Sequence, residues 1–147
     1  MLEDIKIEGE YFDEDYGIYY EDFDLAWRSQ KAGWKALYCP EAVAIHRRGA
    51  TTRTQENNKI WFLKNFALTK IPKDLQVRHI RNRYITMIKN ENLSSFLKDL
   101  PWIIFYELRL LGYLLFFERA VLKSVFSDLR FISLSFAKRR KILELKK

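Results

Sequence analysis

Cysteine is nearly absent from this sequence: Cys39 is the single cysteine in 147 residues, so no disulfide can form within the chain. With two histidines beside it, the sequence lacks the ligand set of a zinc finger. Three prolines and five glycines are too few for a collagen-like or proline-rich chain. The remaining composition, 48% hydrophobic and 31% charged, is typical of a folded globular protein.

Other familiar signals are missing as well. Residues 1–10 hold four acidic side chains and one lysine, without the apolar run of a secretory leader. Neither a glycine-rich phosphate loop nor a Ser/His/Asp arrangement is recognisable. A calcium loop beginning at Asp13 also fails, because Gly17 stands one position early and Asp24 replaces the expected glutamate. The missing leader and the free thiol lead us to expect a cytoplasmic protein.

Charge is distributed very unevenly along the chain. Residues 1–41 hold eleven acidic and four basic side chains, a net charge of −7, whereas residues 42–147 hold eight acidic and twenty-two basic ones, a net charge of +14. The basic part favours binding to an anionic partner. The alternative is that its charges form a solvated helix face without a partner. No nucleic-acid-binding module is recognisable, and the bases alternate with large apolar residues. We therefore expect an anionic membrane surface, and no nucleic acid, as a partner.

A first helix is predicted to begin at Glu21 and to end at Gly33. Acidic residues fill its first turn and basic residues its last, which is the arrangement that the helix dipole favours. Glycine just past the end suits the left-handed residue that closes many helices. At helical spacing, Phe23, Ala26 and Trp27 form its apolar face.

Two short strands are predicted after this helix, at residues 34–39 and 42–46. Two strands cannot cover their own edges or bury a useful core. The expected fold class is therefore a remnant of an α/β domain, with one helix and two short strands, in residues 1–53. Residues 54–147 are expected to form a mainly α-helical, basic C-terminal region that is membrane-associated.

The most apolar part of that helical region is residues 100–117, which contain only Glu107 and Arg109 as charged residues. A membrane-spanning helix needs about 20 mostly apolar residues, and a charge at its centre costs about 2.5–3.5 kcal/mol. Three interpretations remain open: a membrane span, an amphipathic helix lying in the membrane surface, and a buried helix of a soluble domain.

The densest group of potential catalytic side chains is at residues 19–25, where three carboxylates meet the predicted helix start. These acids either cap the helix and complement its dipole, or include a carboxylate held ready as a general base. His46 also has two interpretations. It is either an ordinary, partly buried histidine at a strand end, or a metal ligand or acid–base group.

Short motifs follow one another through residues 8–50. Residues 8–14 read EGEYFDE, residues 20–28 read YEDFDLAWR, residues 32–35 read AGWK and residues 38–42 read YCPEA, with His46 after them. In this order they resemble the C-terminal part of the catalytic domain of family 2 glycosyltransferases, in particular the rhamnosyltransferase-like subgroup. The likeness continues more loosely through residues 81–84 and 88–90 to the basic end.

The resemblance implies an inverting transfer of a sugar from a nucleotide-sugar donor to a glycan or lipid-linked acceptor, in the making of cell-envelope polysaccharide. Asp22 matches the family's general base, which takes the proton of the acceptor hydroxyl. The resemblance also implies that substrate is bound by Glu21, Asp24, Arg28 and Trp34. It implies that His46 contacts the metal or the diphosphate.

Family resemblance also implies a divalent metal, Mg or Mn, held mainly by an N-terminal nucleotide-binding half. This sequence has no stretch like that half, and residues 13–15 lie downstream of its metal motif, so no metal role is transferred to them. We expect a fragment, a split gene product or a degenerate relative, inactive without a donor-half polypeptide. Its expected location is cytoplasmic, peripheral at the inner face of the membrane. The alternative function is a non-catalytic membrane-surface or scaffold module.

Overall fold

The computed structural model describes residues 1–45, 66–127 and 129–144, and about 69% of these residues are helical. Two single-turn 3-10 helices, Glu3–Ile5 and Ala67–Lys70, accompany the α-helices. The five α-helices of the described part are α1 (Glu21–Lys31), α2 (Lys73–Asn90), α3 (Leu93–Phe117), α4 (Arg119–Ser127) and α5 (Arg130–Glu144).

The predicted α/β fold class is wrong, because the described residues contain no β-strand and only an isolated bridge between Ile7 and Glu10. Residues 34–45 have no strand pairing, and the Leu37 and Ile45 side chains are 91% and 100% exposed. A strand is stabilised by hydrogen bonds to a neighbouring strand, and the described part of the chain offers these residues no such neighbour. The end of the second predicted strand, His46, lies outside the described residues.

The predicted first helix is confirmed as α1, and its end has the expected geometry. Gly33 is left-handed, with a φ of 86°. Its N–H donates to the Gln30 carbonyl and the Trp34 N–H donates to the Ser29 carbonyl, both at 3.0 Å. These two bonds form a Schellman motif, which satisfies carbonyls that the helix leaves unpaired.

The buried face of α1 is charged, whereas its apolar face lies at the surface. Asp24 and Arg28 are both 0% exposed. Phe23, Ala26 and Trp27 instead line a shallow, open groove on the outer side of the helix. The spacing of apolar residues identified one face correctly, but ion pairing determined which face is buried.

The chain divides into two compact units, and each one combines separate stretches of sequence. The first comprises residues 1–45, 78–91 and the described part of 129–147, with a core of Tyr16, Ile85 and Phe131. The second comprises the described parts of 46–77 and 92–128. The predicted division into a catalytic-domain piece, residues 1–53, and a helical region, residues 54–147, stays a prediction.

In the second unit, one face of α3 packs against the segment before α2. The Phe66 ring lies 5.7 Å from the Tyr113 ring, edge to face, and Phe66 and Leu68 are buried. Gln76 Nε2 lies within 3.3 Å of the Tyr113 hydroxyl and of the Leu68 carbonyl. These contacts fix α3 through its buried residues Leu110, Tyr113 and Leu114.

Helix α3 begins with the Asn92 side chain accepting the Ser95 N–H at 2.9 Å, and it continues through Pro101. The residue at the cap is thus Asn92. By length and composition, α3 is the helix of the described part that could cross a membrane, and 17% of its most apolar 18-residue stretch is buried.

Two neighbouring leucines test the orientation of α3, because Leu110 is 3% exposed and Leu108 is 61% exposed. We expect Leu110→Ala to lower the free energy of unfolding by about 2–5 kcal/mol, since it leaves a cavity. Leu108→Ala should change it by less than about 1 kcal/mol. Urea denaturation followed by circular dichroism measures both, and equal losses would contradict the orientation described.

Candidate functional site

The start of α1 is conformationally strained. Tyr19 and Tyr20 both have a φ of 72°, in the left-handed region that bulky residues rarely adopt. Each such residue costs about 1–3 kcal/mol, and it persists only where the surroundings hold it. Strain of this kind, directly before Glu21 and Asp22, makes the first turn of α1 the candidate functional site.

Asn82 on α2 is the group that holds this strained turn. Its buried side-chain amide nitrogen lies 2.8 Å from the carbonyl oxygens of Tyr16 and Ile18, and 2.9 Å from that of Tyr19. These carbonyls converge because the chain reverses direction before α1. The amide therefore favours the left-handed conformation at the helix start.

Below this turn, the Asp24 carboxylate lies at the centre of a buried polar network. Arg28 Nε donates to it at 2.9 Å, and Asn90 Nδ2 donates at 2.7 Å. Lys89 Nζ lies 3.0 Å from the same carboxylate, and the Tyr16 hydroxyl donates to it at 3.2 Å. All five side chains are buried. Burial, followed by the Asp24 charge, raises the pKa of Tyr16, so its hydroxyl stays a donor.

A second buried carboxylate, Asp13, extends the network to α5. Lys89 Nζ lies 2.5 Å from Asp13, and Lys138 Nζ lies 2.7 Å from both Asp13 and Asp15. Burial raises the pKa of Asp13, but the two lysines outweigh this effect and hold it below its usual value. Burial lowers the pKa of Lys138, and its two carboxylates reverse that effect and raise it. Lysine ammonium groups thus balance the acids of the loop before α1.

Arg28 joins the network to the amino-terminal segment. Its terminal nitrogens donate to the carbonyl oxygens of Ile5 and Tyr11, the latter at 2.7 Å. Since its Nε is bonded to Asp24, all three guanidinium nitrogens have partners. Asp24 and Arg28 therefore contact each other and the backbone, and they fix the orientation of α1.

The remaining predicted site residues occupy different environments. Asp22 is exposed, and its Oδ1 accepts the Phe23 N–H at 2.7 Å. Glu21 is half-buried, and its Oε2 is buried without a hydrogen-bond partner. Trp34 lies beyond the other end of α1, about 16 Å along the helix, where its Nε1 donates to Asp4. His46 lies outside the described residues.

Sequence reasoning missed His79, which packs beside the first turn of α1. Its ring makes edge contacts with Tyr19 and Tyr20, at centroid distances of 5.6 Å and 5.1 Å. Its Nδ1 is buried without a hydrogen-bond partner. Burial, and then the nearby Arg83, lower the pKa of His79 to about 4, so the imidazole is neutral at neutral pH.

A signal for the buried side of α2 was present in the sequence. Asn82, Thr86, Lys89 and Asn90 recur at spacings of four, three and one, so they share one helical face. All four are buried in the structure. A polar stripe at the spacing normally used by core residues indicates a buried polar network.

The described residues do not provide a metal centre. No group of three histidine, cysteine, aspartate or glutamate side chains comes together among them. Asp13 and Asp15, the nearest approach to a metal motif, share the ammonium group of Lys138. The expected metal contact, His46, lies outside the described part of the chain.

Two curated proteins are similar to part of this chain. Both are N-acetylglucosaminyl-diphospho-decaprenol L-rhamnosyltransferases of Mycobacterium tuberculosis, from strains CDC 1551 / Oshkosh and ATCC 25618 / H37Rv. The matched stretch is glycosyltransferase-like. Each is 46% identical over 41 residues, which cover 28% of this chain and 13% of the length of the relative. No family model and no solved structure matches the chain.

Lys89→Met tests the buried network. The substitution leaves Asp13 and Asp24 buried without one of their cations, and losing one partner of a buried ion pair costs about 3–5 kcal/mol. We expect a loss of that size in the free energy of unfolding, measured by urea denaturation. Lys123→Met, at an exposed lysine of α4, is the control and should change it by less than about 0.5 kcal/mol.

His79 makes the stability of the protein depend on pH. The unfolded chain protonates this histidine near pH 6.5, but the folded protein does so only near pH 4. The unfolded state therefore binds more protons in this window, and the free energy of unfolding falls as the pH is lowered through it. In His79→Gln, the decrease in the free energy of unfolding between pH 6.5 and pH 5 should be largely absent. His46→Gln changes the other histidine and is the control; an unchanged pH profile in His79→Gln would contradict the burial of His79.

Proposed function

We propose that this chain is the acceptor-side part of a glycosyltransferase, which moves a sugar from a nucleotide-sugar donor to a glycan or lipid-linked acceptor. The observation that carries the proposal is Asp22, an exposed carboxylate in the first turn of a helix whose opposite face is fixed by buried ion pairs. A general base must reach its substrate and keep its orientation, and the exposure of Asp22 on a helix of fixed orientation supports the proposal.

In the proposed reaction, the Asp22 carboxylate takes the proton of an acceptor hydroxyl. The acceptor oxygen forms a bond to the anomeric carbon of the donor sugar, and the bond from that carbon to the nucleotide diphosphate breaks. The bonding electrons leave with the diphosphate. A single displacement of this kind inverts the configuration at the anomeric carbon, and the diphosphate is stabilised on the donor side, where His46 is the proposed contact.

The proposed acceptor class is taken from the two similar proteins. Their name refers to an N-acetylglucosaminyl-diphospho-decaprenol. By analogy, we assign this chain an acceptor made of a sugar on a polyprenyl diphosphate. Glu21, the half-buried neighbour of Asp22, is the proposed hydrogen-bond acceptor for a second sugar hydroxyl. Trp34 is proposed to contact the substrate farther from the reacting atoms.

Asp22→Asn tests the proposed base. The chain is combined with a donor-binding half of a rhamnosyltransferase-like enzyme, and transfer of a radiolabelled sugar from a nucleotide-sugar to a polyprenyl-diphosphate N-acetylglucosamine is measured. Removing a general base lowers the rate by about 100-fold to 10,000-fold, and we expect a loss in kcat of that size.

The matched control is Asp74→Asn, which removes an exposed acid from the first turn of α2. It should leave the transfer rate unchanged, because the helix-dipole contribution of an exposed acid is only about 0.3–1 kcal/mol of stability. Equal rates for wild type and Asp22→Asn would remove Asp22 from the mechanism. Retention of configuration in the product would exclude the single displacement.

A further inference from the structure

The outer face of α3 is a long apolar surface that no part of the described chain covers. Its residues lie on one side of the helix, are 43% to 71% exposed, and extend over about 33 Å. They are Leu93, Leu97, Ile104, Leu108, Leu111 and Leu115. A continuous apolar surface of this length on a soluble domain marks a site of interaction.

This helix has a second apolar face, which packs against other residues of the chain. Leu110, Tyr113 and Leu114 are buried, and Tyr113 packs on Phe66. A helix that crosses a membrane alone is surrounded by lipid, whereas α3 has polypeptide against one side. The geometry therefore favours a helix lying along a membrane surface, with its outer face in the lipid.

Exposed basic side chains lie near the outer face, and Glu107, the acid nearest to it around the helix, is half-buried. Lys98 is exposed on α3 beside the apolar surface. Helix α4, which packs against α3, exposes Arg119 and Lys123 and contains no acidic residue. Asp99 lies about 200° around the helix from Leu97, so its carboxylate is on the other side. This distribution complements an anionic surface.

Exposed aromatic residues lie on α3 beyond the outer face, with Phe105 about 60° and Trp102 about 120° around the helix from Leu108. Trp102, Phe105 and Phe116 are each more than half exposed on α3. Tryptophan is enriched where a membrane meets water, because its ring is apolar and its N–H is polar. Large exposed aromatic rings are costly in water, and contact with lipid removes that cost.

We propose that the outer face of α3 docks on the surface of an anionic bilayer, with the helix axis parallel to the membrane plane. The apolar residues enter the boundary between headgroups and acyl chains, and the lysine and arginine side chains contact the lipid phosphates. This docking surface is separate from Asp22, and its function does not depend on sugar transfer.

Vesicle flotation with the full chain tests the proposal. Vesicles of equal parts phosphatidylcholine and phosphatidylglycerol should carry the protein to the top of the gradient, and vesicles of phosphatidylcholine alone should carry at least about tenfold less. Binding should weaken as salt is raised, since surface charges are screened. Absence of flotation with the anionic vesicles at low salt would overturn the proposal.

Leu108→Glu places a negative charge at the centre of the outer face and should lower binding at least about tenfold. Leu37→Glu is the matched control, because Leu37 is a leucine that is 91% exposed elsewhere in the chain. It should bind as wild type does, and so should Asp22→Asn. Equal binding by Leu108→Glu and Leu37→Glu would refute docking through this face.

Two further outcomes identify a different occupant or geometry. If wild type is a dimer that Leu108→Glu converts to monomers, and neither floats with vesicles, the face is an interface between two copies and the proposal is wrong. If the bound protein resists extraction by alkaline carbonate, the helix spans the bilayer and the in-plane geometry is wrong. Release by carbonate, together with loss of binding in Leu108→Glu, supports docking in the plane.

Discussion

The ion pairing of Asp24 is the interaction on which the first compact unit depends. Removing a carboxylate from water costs several kcal/mol, and this cost is offset only when cations and donors surround it closely. Arg28 comes from the same helix, whereas Lys89 and Asn90 come from α2. Because these partners arise from distant parts of the sequence, α1 has one orientation in which its buried charges are neutralised. Tyr16 adds a donor that burial keeps protonated.

This fixed orientation has a consequence for the helix start. With Asp24 and Arg28 directed inward, Asp22 lies in the same turn but points away from the network. Asn82 holds the two left-handed tyrosines that lead into the helix, so the strained turn persists. A buried polar network thus fixes the helix that carries an exposed carboxylate, and the proposed general-base role would require such preorganisation. The short similarity to rhamnosyltransferases suggests the chemistry, and the network supplies the rigidity.

The second compact unit is organised differently, because its long helix α3 has apolar residues on both faces. One face packs through Tyr113 and Leu110 onto the segment around Phe66, while the other is exposed. Hydropathy alone treats the two faces alike, and for that reason the apolar segment allowed three interpretations. In the proposed docking, the exposed face meets a lipid surface. A sugar transferase with a lipid-linked acceptor would gain from such a location.

The sequence by itself determined α1 and its ends, because dipole complementarity and the glycine at position 33 act within a few residues. It also placed Asp22 at the helix start and identified the family likeness. Only the tertiary structure decided that residues 34–45 form no strand, since a strand requires a partner that local sequence cannot specify. Only the tertiary structure brought Lys89 to Asp13, 76 positions away, and packed His79 against the tyrosines. Contacts between residues so far apart in the sequence depend on how the helices pack, and the periodicity within one helix does not predict them.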